Sequence, residues 1–399
     1  MNSRSTSAGA RDVARRIAEI GPFEVMEILS RAHALEAQGR HVVHMEIGEP
    51  DFTAPAAVVE AGVRALQAGM TAYTSALGIP ALREAIAAHY KQRFGVDVAP
   101  ARIAVTAGAS GALLLTMALY VDRDDEVLVP DPGYPGYRHI VRAFEGRPRA
   151  LEVDGDTGFQ PTLERVARAW GPRTVGLVLG SPANPSGTLI ADAELRRIAE
   201  FVAVRNGVLI VDEIYQGLVY GRAPATAARL PGEVVLVNSF SKYFCMTGWR
   251  LGWAVLPEHR VRGFEKLAQH LFICPPSVAQ HAALAAFTPE SIAVLEARRA
   301  EFEARRDFLV PALEAAGLRI LVRPEGAFYV YADCSALSAD ARQFALDLLE
   351  REAVAATPGA DFGANGTHRF LRFAYTRALP ELEEGARRLA RFCASAAAV

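Results

Sequence analysis

Short apolar runs recur through the middle of the chain, separated by longer stretches in which apolar residues return every three or four positions. The runs are RIAV from Arg102, EVLVP from Glu126, TVGLVL from Thr174, VLIVDE from Val208, VVLVNS from Val234 and LGWAVL from Leu251. Several lack polar alternation, as strands covered on both faces should. Between two of them, DAELRRIAEFVAVRN sets Leu195, Ile198, Phe201 and Val202 at the spacing of an amphipathic helix. The repeated unit predicts an α/β domain on a mainly parallel sheet.

Near residue 290 the texture changes. EARRAEFEARRDFLVPALEAAG is a highly charged helical stretch, and AFYVYADC, ADARQFALDLLEREAV and FLRFAYT read as a smaller α+β unit. EVMEILSRAHALEAQG near the start predicts one helix with no strand partner nearby, placed to pack on that C-terminal unit. The expected division is a large domain over residues 46–288 and a discontinuous small one over 1–45 and 289–399. MNSRSTSAGARD reads as a frayed tail and the closing ASAAAV as a loose end, and there is no internal repeat or low-complexity tract.

Composition narrows the class. At 399 residues, 51% hydrophobic and 22% charged, the chain is long enough for two domains and apolar enough for a sizeable core. A net charge of -2, with no run of Lys and Arg, disfavours nucleic acid and anionic lipid as partners. No apolar stretch reaches membrane-spanning length, and the opening residues do not form a signal peptide. Cys245, Cys274, Cys334 and Cys393 lie far apart and form no C-x-x-C pair, which fits a reducing cytoplasm and indicates no metal site.

Polar residues cluster where the predicted strands end, the edge at which such sheets place their chemistry. After RIAV, TAGASGALLL opens a helix whose free Ala109 and Ser110 amides, with the Ser110 hydroxyl, suit a phosphate; a plain strand-to-helix turn is the alternative. DPGYPGY stiffens a loop that displays Tyr134 for stacking, or as mere surface cover. SPANPSGT offers the Asn184 amide, or a helix cap. In VDEIY, Asp212 at a strand end serves a buried cation or caps a helix, with Tyr215 on the same side of a helical turn. SFSKYFCMTGWR carries Lys242, whose amine an apolar setting would make nucleophilic, although most lysines are surface charges. Phe240 and Phe244 are the expected packing beneath it; Ser241 has no evident role. Together these groups suit a phosphorylated aromatic aldehyde held by a lysine and an acidic partner, which is pyridoxal phosphate.

In these motifs, from GEPDF at Gly48 to FLRFAYT at Phe370, the chain resembles the fold-type-I pyridoxal-phosphate enzymes, specifically the class I/II aminotransferases of the bacterial aspartate-aminotransferase-like branch. The resemblance implies a large domain with a mainly parallel seven-stranded sheet flanked by helices, plus the smaller α+β domain. It implies that Lys242 is joined to the cofactor aldehyde and later moves protons, that Asp212 pairs with the ring nitrogen, and that Tyr215 and Asn184 contact the ring oxygen. By the same likeness Tyr134 stacks on the ring, and Gly108, Ala109, Ser110, Ser239 and Arg250 hold the phosphate. Arg372 would grip the substrate α-carboxylate, with Gly48 and Asn184 beside it. Tyr73 would reach a partner subunit's cofactor phosphate, which makes the protein a homodimer with shared active sites.

The activity so implied is transfer of an amino group between an L-amino acid and a 2-oxo acid, with ping-pong kinetics and 2-oxoglutarate as the expected acceptor. No Lys or Arg lies between Lys266 and Arg298, which removes the simplest argument for a strictly dicarboxylic donor; aspartate, aromatic and alanine-type donors stay open. The alternative on the same fold is carbon–sulfur β-elimination. A DNA-binding regulator with such a domain would be expected to show a basic helix-turn-helix pattern before GEPDF, which these residues do not have, and a nicotinamide dehydrogenase would be expected to show G-x-G-x-x-G.

Overall fold

A computed structural model describes residues 13–22 and 24–396. The expected frayed opening lies outside the described residues, as do the last three residues of ASAAAV. Ala394, Ser395 and Ala396 correct the rest of that expectation, because they continue the helix Leu379–Ala396.

The six apolar runs form strands β2 (Ile103–Thr106), β3 (Glu126–Asp131), β5 (Thr174–Gly180), β6 (Val208–Asp212), β7 (Val234–Ser239) and β8 (Gly252–Val255). A further strand, β4 (Arg147–Glu152), completes a seven-stranded sheet of order β2-β8-β7-β6-β5-β3-β4. RPRALE escapes the apolar pattern because β4 is an edge strand in which only Leu151 is buried. Along the central strands, successive residues feed opposite cores: Leu177, Leu179, Leu209 and Val211 go to one side, Val178, Val208 and Ile210 to the other. Both faces are covered, hence the unbroken apolar runs, and each such side chain contributes roughly 1.5–3 kcal/mol by leaving water.

Pairing is parallel except for β8, which runs antiparallel to both β2 and β7. This reversal matters for the chemistry. The register sets Gly252, at the start of β8, opposite both Ser239 and Thr106, so the residues just before β8 return to the carboxyl edge where β2 and β7 end. A Cβ on Gly252 would lie 2.7 Å from the Ala109 amide nitrogen and from the Asn238 carbonyl oxygen, so only glycine permits this approach.

The C-terminal part holds an antiparallel three-stranded sheet of order β11-β12-β9, from β9 (Tyr329–Asp333), β11 (Thr357–Pro358) and β12 (Phe370–Ala374). The opening segment does have a strand partner, contrary to expectation. β1 (Val43–His44) pairs in parallel with β10 (Val354–Ala355), a ladder too short to mark the hydrophobic pattern. The helix Glu24–Glu36 buries Ile28, Ala32 and Leu35 at helical spacing and packs on β10, β11 and the helix Ala341–Glu352. The helix Pro289–Ala315, capped by the Thr288 hydroxyl, packs on β9 and on Leu379–Ala396. Among the described residues no helix is long and apolar enough to cross a membrane.

Candidate active site

A cleft of about 500 Å³ lies beyond the carboxyl ends of the sheet strands and is closed on its far side by the C-terminal sheet and the helix Glu24–Glu36. Gly48, Ala109, Ser110, Tyr134, Asn184, Asp212, Tyr215, Ser239, Lys242, Arg250 and Arg372 all line it. Gly108 sits just behind, where a Cβ would come within 2.5 Å of Arg250 Nη2.

Lys242 follows the end of β7. Beneath it Phe240 packs 5.0 Å from both Phe244 and Trp253, as expected of the residues that fix the lysine backbone. Its Nζ donates to the Gly48 carbonyl at 2.5 Å. Removal from water lowers the amine pKa to about 8, with Arg372 and Arg250 adding to the effect and Glu49 and Asp212 opposing it. In the cofactor-free protein, borohydride-trapped capture of a soluble aromatic aldehyde at Lys242 is therefore expected to rise as pH passes through about 8. An ordinary lysine would show that rise more than two units higher.

Asp212 ends β6 and is 4% exposed. Burial raises its pKa to about 6, while the Ile214 amide, 3.0 Å from Oδ1, and the Tyr137 hydroxyl, 2.9 Å from Oδ2, pull the other way. Tyr137 was not singled out by the sequence. The available signal was its place three residues after Tyr134, one turn into the helix Pro135–Ala143; the two rings meet edge-on at 5.2 Å. Tyr215 sits in a hydrogen-bonded turn and not a helix, yet it faces the same cleft, its hydroxyl 2.8 Å from that of Tyr329.

At the opposite end from Asp212, the helix Gly108–Tyr120 starts with Gly108 at φ 73°, and its first-turn amides have no acceptor within the helix. Arg250, brought there by the reversed β8, donates from Nη1 to the Thr247 carbonyl at 2.9 Å and to Ser241 Oγ at 3.5 Å. Ser239 Oγ donates to Ser241 Oγ at 2.9 Å. Ser241 therefore belongs to this donor cluster, brought back to it by the bend after β7, in which its amide donates to Ser239 Oγ at 3.0 Å.

Arg372, on β12, is 5% exposed. Nη1 donates to Asn184 Oδ1 at 3.0 Å; Nη2 donates to the Glu46 carbonyl at 2.5 Å and lies 3.2 Å from Thr357 Oγ1; Nε is buried with no partner. The guanidinium carbon lies 4.3 Å from the centre of the Tyr329 ring. A side chain at Gly48 would overlap the Tyr329 hydroxyl, which accounts for glycine there. Tyr329, Glu46 and Thr357 carried no sequence signal. Tyr73 is not in this cleft: it is 79% exposed, in the loop after the helix Ala56–Gln67, whose Val59, Val63 and Leu66 are exposed as well.

A family model described as "Aminotransferase class I and II" matches residues 40–389. The valine--pyruvate aminotransferase of Mycobacterium tuberculosis is 39% identical over 374 residues, 93% of this chain and 96% of that one. The (5-formylfuran-3-yl)methyl phosphate transaminase of Methanocaldococcus jannaschii is 35% identical over 383 residues, 95% of this chain and 99% of that one. Among solved structures, that of an aminotransferase from Mycobacterium tuberculosis superposes with a TM-score of 0.92 at 39% identity, covering 97% of this chain and all of that one at 100%.

Proposed function

Since the chain belongs to the class I and II aminotransferases, which depend on pyridoxal phosphate and move an amino group between an amino acid and a 2-oxo acid, we propose that the cleft around Lys242 is where it does so. The observation that carries the reading is one partly buried amine of lowered pKa between a buried carboxylate and a cluster of anion donors.

The residues present fit the cofactor. Helix amides, the Ser110, Ser239 and Ser241 hydroxyls and the Arg250 guanidinium are a donor set for a phosphate, and the missing Cβ of Gly108 lets the guanidinium lie against the start of the helix. Asp212 would take the ring nitrogen, Tyr134 a ring face, Asn184 and Tyr215 the ring oxygen, and Lys242 the aldehyde carbon. When bound, pyridoxal phosphate supplies that carbon and an electron-accepting ring.

The chain's own groups do the rest. Arg372 holds the substrate carboxylate through a planar fork whose Nε is still unpartnered, and Asn184 steadies that fork from the side. Lys242, whose amine reaches into the cleft beside the Gly48 carbonyl, would move a proton to and from the substrate α-carbon. Asp212 stays ionised opposite a cation, its oxygens fixed by Tyr137 and Ile214. Tyr137→Phe is expected to weaken cofactor retention by about 1 kcal/mol, read as a roughly fivefold higher dissociation constant.

Asp212 also predicts a stability effect of opposite sign to its effect on activity. Its folded pKa, about 6, lies above that of an unfolded aspartate, so the carboxylate costs the cofactor-free fold stability as pH rises from about 4 to 6. Asp212→Asn is expected to be inactive yet more stable without cofactor at pH 7, on the order of 2 kcal/mol, with the gain gone below about pH 4. Urea unfolding at the two pH values checks this.

We further propose a homodimer, on the strength of exposed Tyr73 and the apolar surface of Ala56–Gln67; the two-domain division over 46–288 against 1–45 and 289–399; and a cytosolic location, in keeping with the dispersed thiols. The functional reading is tested by spectrophotometry of the loaded protein. A true amino donor should bleach the visible band of the Lys242-bound cofactor, and an oxo acid should restore it. A band that no amino acid changes would refute the reading.

A further inference from the structure

Beyond Arg372 the cleft is walled by Val25, Met26 and Leu29 from the helix Glu24–Glu36, by Ile47 beside Gly48, and by Phe362, whose ring centre lies 4.9 Å from the Arg372 guanidinium carbon. Three cations line the cleft among the described residues, Lys242, Arg250 and Arg372, and all three are engaged in the reading above. The remaining charges are negative. Asp361 lines the same end, buried, its Oδ1 accepting from the Glu24 amide at 3.0 Å; its carboxylate thus pins the N-terminus of the helix that provides the apolar wall. Glu49 accepts from the Thr247 hydroxyl nearby. Neither residues 69–79, around Tyr73, nor the stretch between Lys266 and Arg298 contains a Lys or Arg.

We infer that this cleft selects amino acids and 2-oxo acids with an uncharged, apolar side chain, and that Asp361 is a specificity-determining residue that excludes a second carboxylate. An aliphatic or thioether side chain loses its water against Val25, Met26, Leu29 and Phe362. A distal carboxylate loses its water too and faces the Asp361 carboxylate; of the cations beside Asp361, Arg372 is taken up by the α-carboxylate and Arg138 is held by the Asp361 carbonyl at 2.7 Å, outside the cleft lining. This inference rests on the transaminase reading and deepens it.

The test uses the loaded holoenzyme. Half-reaction kcat/KM for valine, leucine, methionine and phenylalanine is expected to exceed that for aspartate and glutamate by at least about tenfold. Calorimetry should show 4-methylpentanoate, an unreactive stand-in, binding more tightly than glutarate. Two variants change the charge of the wall. Asp361→Asn keeps an acceptor for the Glu24 amide, and Met26→Lys adds a cation at a position 56% exposed, where the fold tolerates it. Each is expected to raise the ratio of glutamate to leucine kcat/KM by about tenfold. Dicarboxylic substrates equal to or faster than apolar ones, or a ratio unmoved in both variants, would overturn the inference while leaving transamination intact. Failure of every amino acid to react would instead remove the transaminase reading.

Discussion

Replacing Lys242 by alanine is expected to lower turnover by at least about four orders of magnitude. In the proposed reading one nitrogen is both covalent anchor and proton carrier, and among the described residues of the cleft there is no second lysine and no histidine to replace it. The loss is not one of folding. The amine makes a single hydrogen bond, to the Gly48 carbonyl, and its removal relieves an unfavourable desolvation. The variant should therefore unfold no earlier than the parent. Borohydride reduction followed by peptide mass spectrometry should find the cofactor on the Lys242 peptide of the parent and nowhere in the variant. Added methylamine, a small free base, should restore part of the rate, which a merely structural lysine would not allow.

Truncating Arg372 to alanine is the second large effect, a fall in kcat/KM of about a hundredfold to a thousandfold, matching the 2–5 kcal/mol of a buried charge pair broken from one side. The loss should appear mainly as a higher KM for amino acids. It should vanish for an amine without a carboxylate, so that valine and isobutylamine converge. Arg372→Lys should not rescue. Asn184 Oδ1, the Glu46 carbonyl and Thr357 Oγ1 are arranged about a planar fork with several N–H groups, and an ammonium on a flexible stem cannot meet them while also presenting two donors to a carboxylate. Behind this fork, Glu46 is held through its buried carboxylate by His44 Nδ1 at 2.7 Å, a contact that raises the His44 pKa.

The layout of strands and the strand-end residues were legible because they follow local rules. An interior strand must be apolar on both faces, as Leu177, Val178 and Leu179 are, and the groups that end such strands, Asp212 and Ser239, share one edge. β4 was illegible for the complementary reason, since an edge strand with a single buried side chain has no pattern to read. The opening segment shows the same limit, its two-residue β1 being too short to leave a periodicity.

Within the cleft, residues on one local segment were readable and pairings between segments were not. The Tyr215–Tyr329 hydroxyl contact and the Tyr137–Asp212 hydrogen bond join positions 114 and 75 residues apart, and no spacing rule links them. Arg250 is an intermediate case. Its motif marked it, but the reason it reaches the donor cluster is the antiparallel β8, whose register with Ser239 and Thr106 is a property of the sheet. Asp361 was missed because its neighbours Ala360, Phe362 and Gly363 carry no charge signal; its meaning comes from the helix Glu24–Glu36, more than three hundred residues away, which it meets only in the fold.

Transfer of an amino group from one acid to another at Lys242 can be followed atom by atom. Isotope transfer tests it most directly. The loaded enzyme is incubated with a ¹⁵N-labelled amino acid and an unlabelled 2-oxo acid of a different carbon skeleton, and the products are read by mass spectrometry. The expected result is ¹⁵N in the amino acid built on the acceptor skeleton, one for each donor converted to its oxo acid, with no transfer in the Lys242→Ala variant. Label released as ammonia with no new amino acid, or transfer undiminished in that variant, would contradict it.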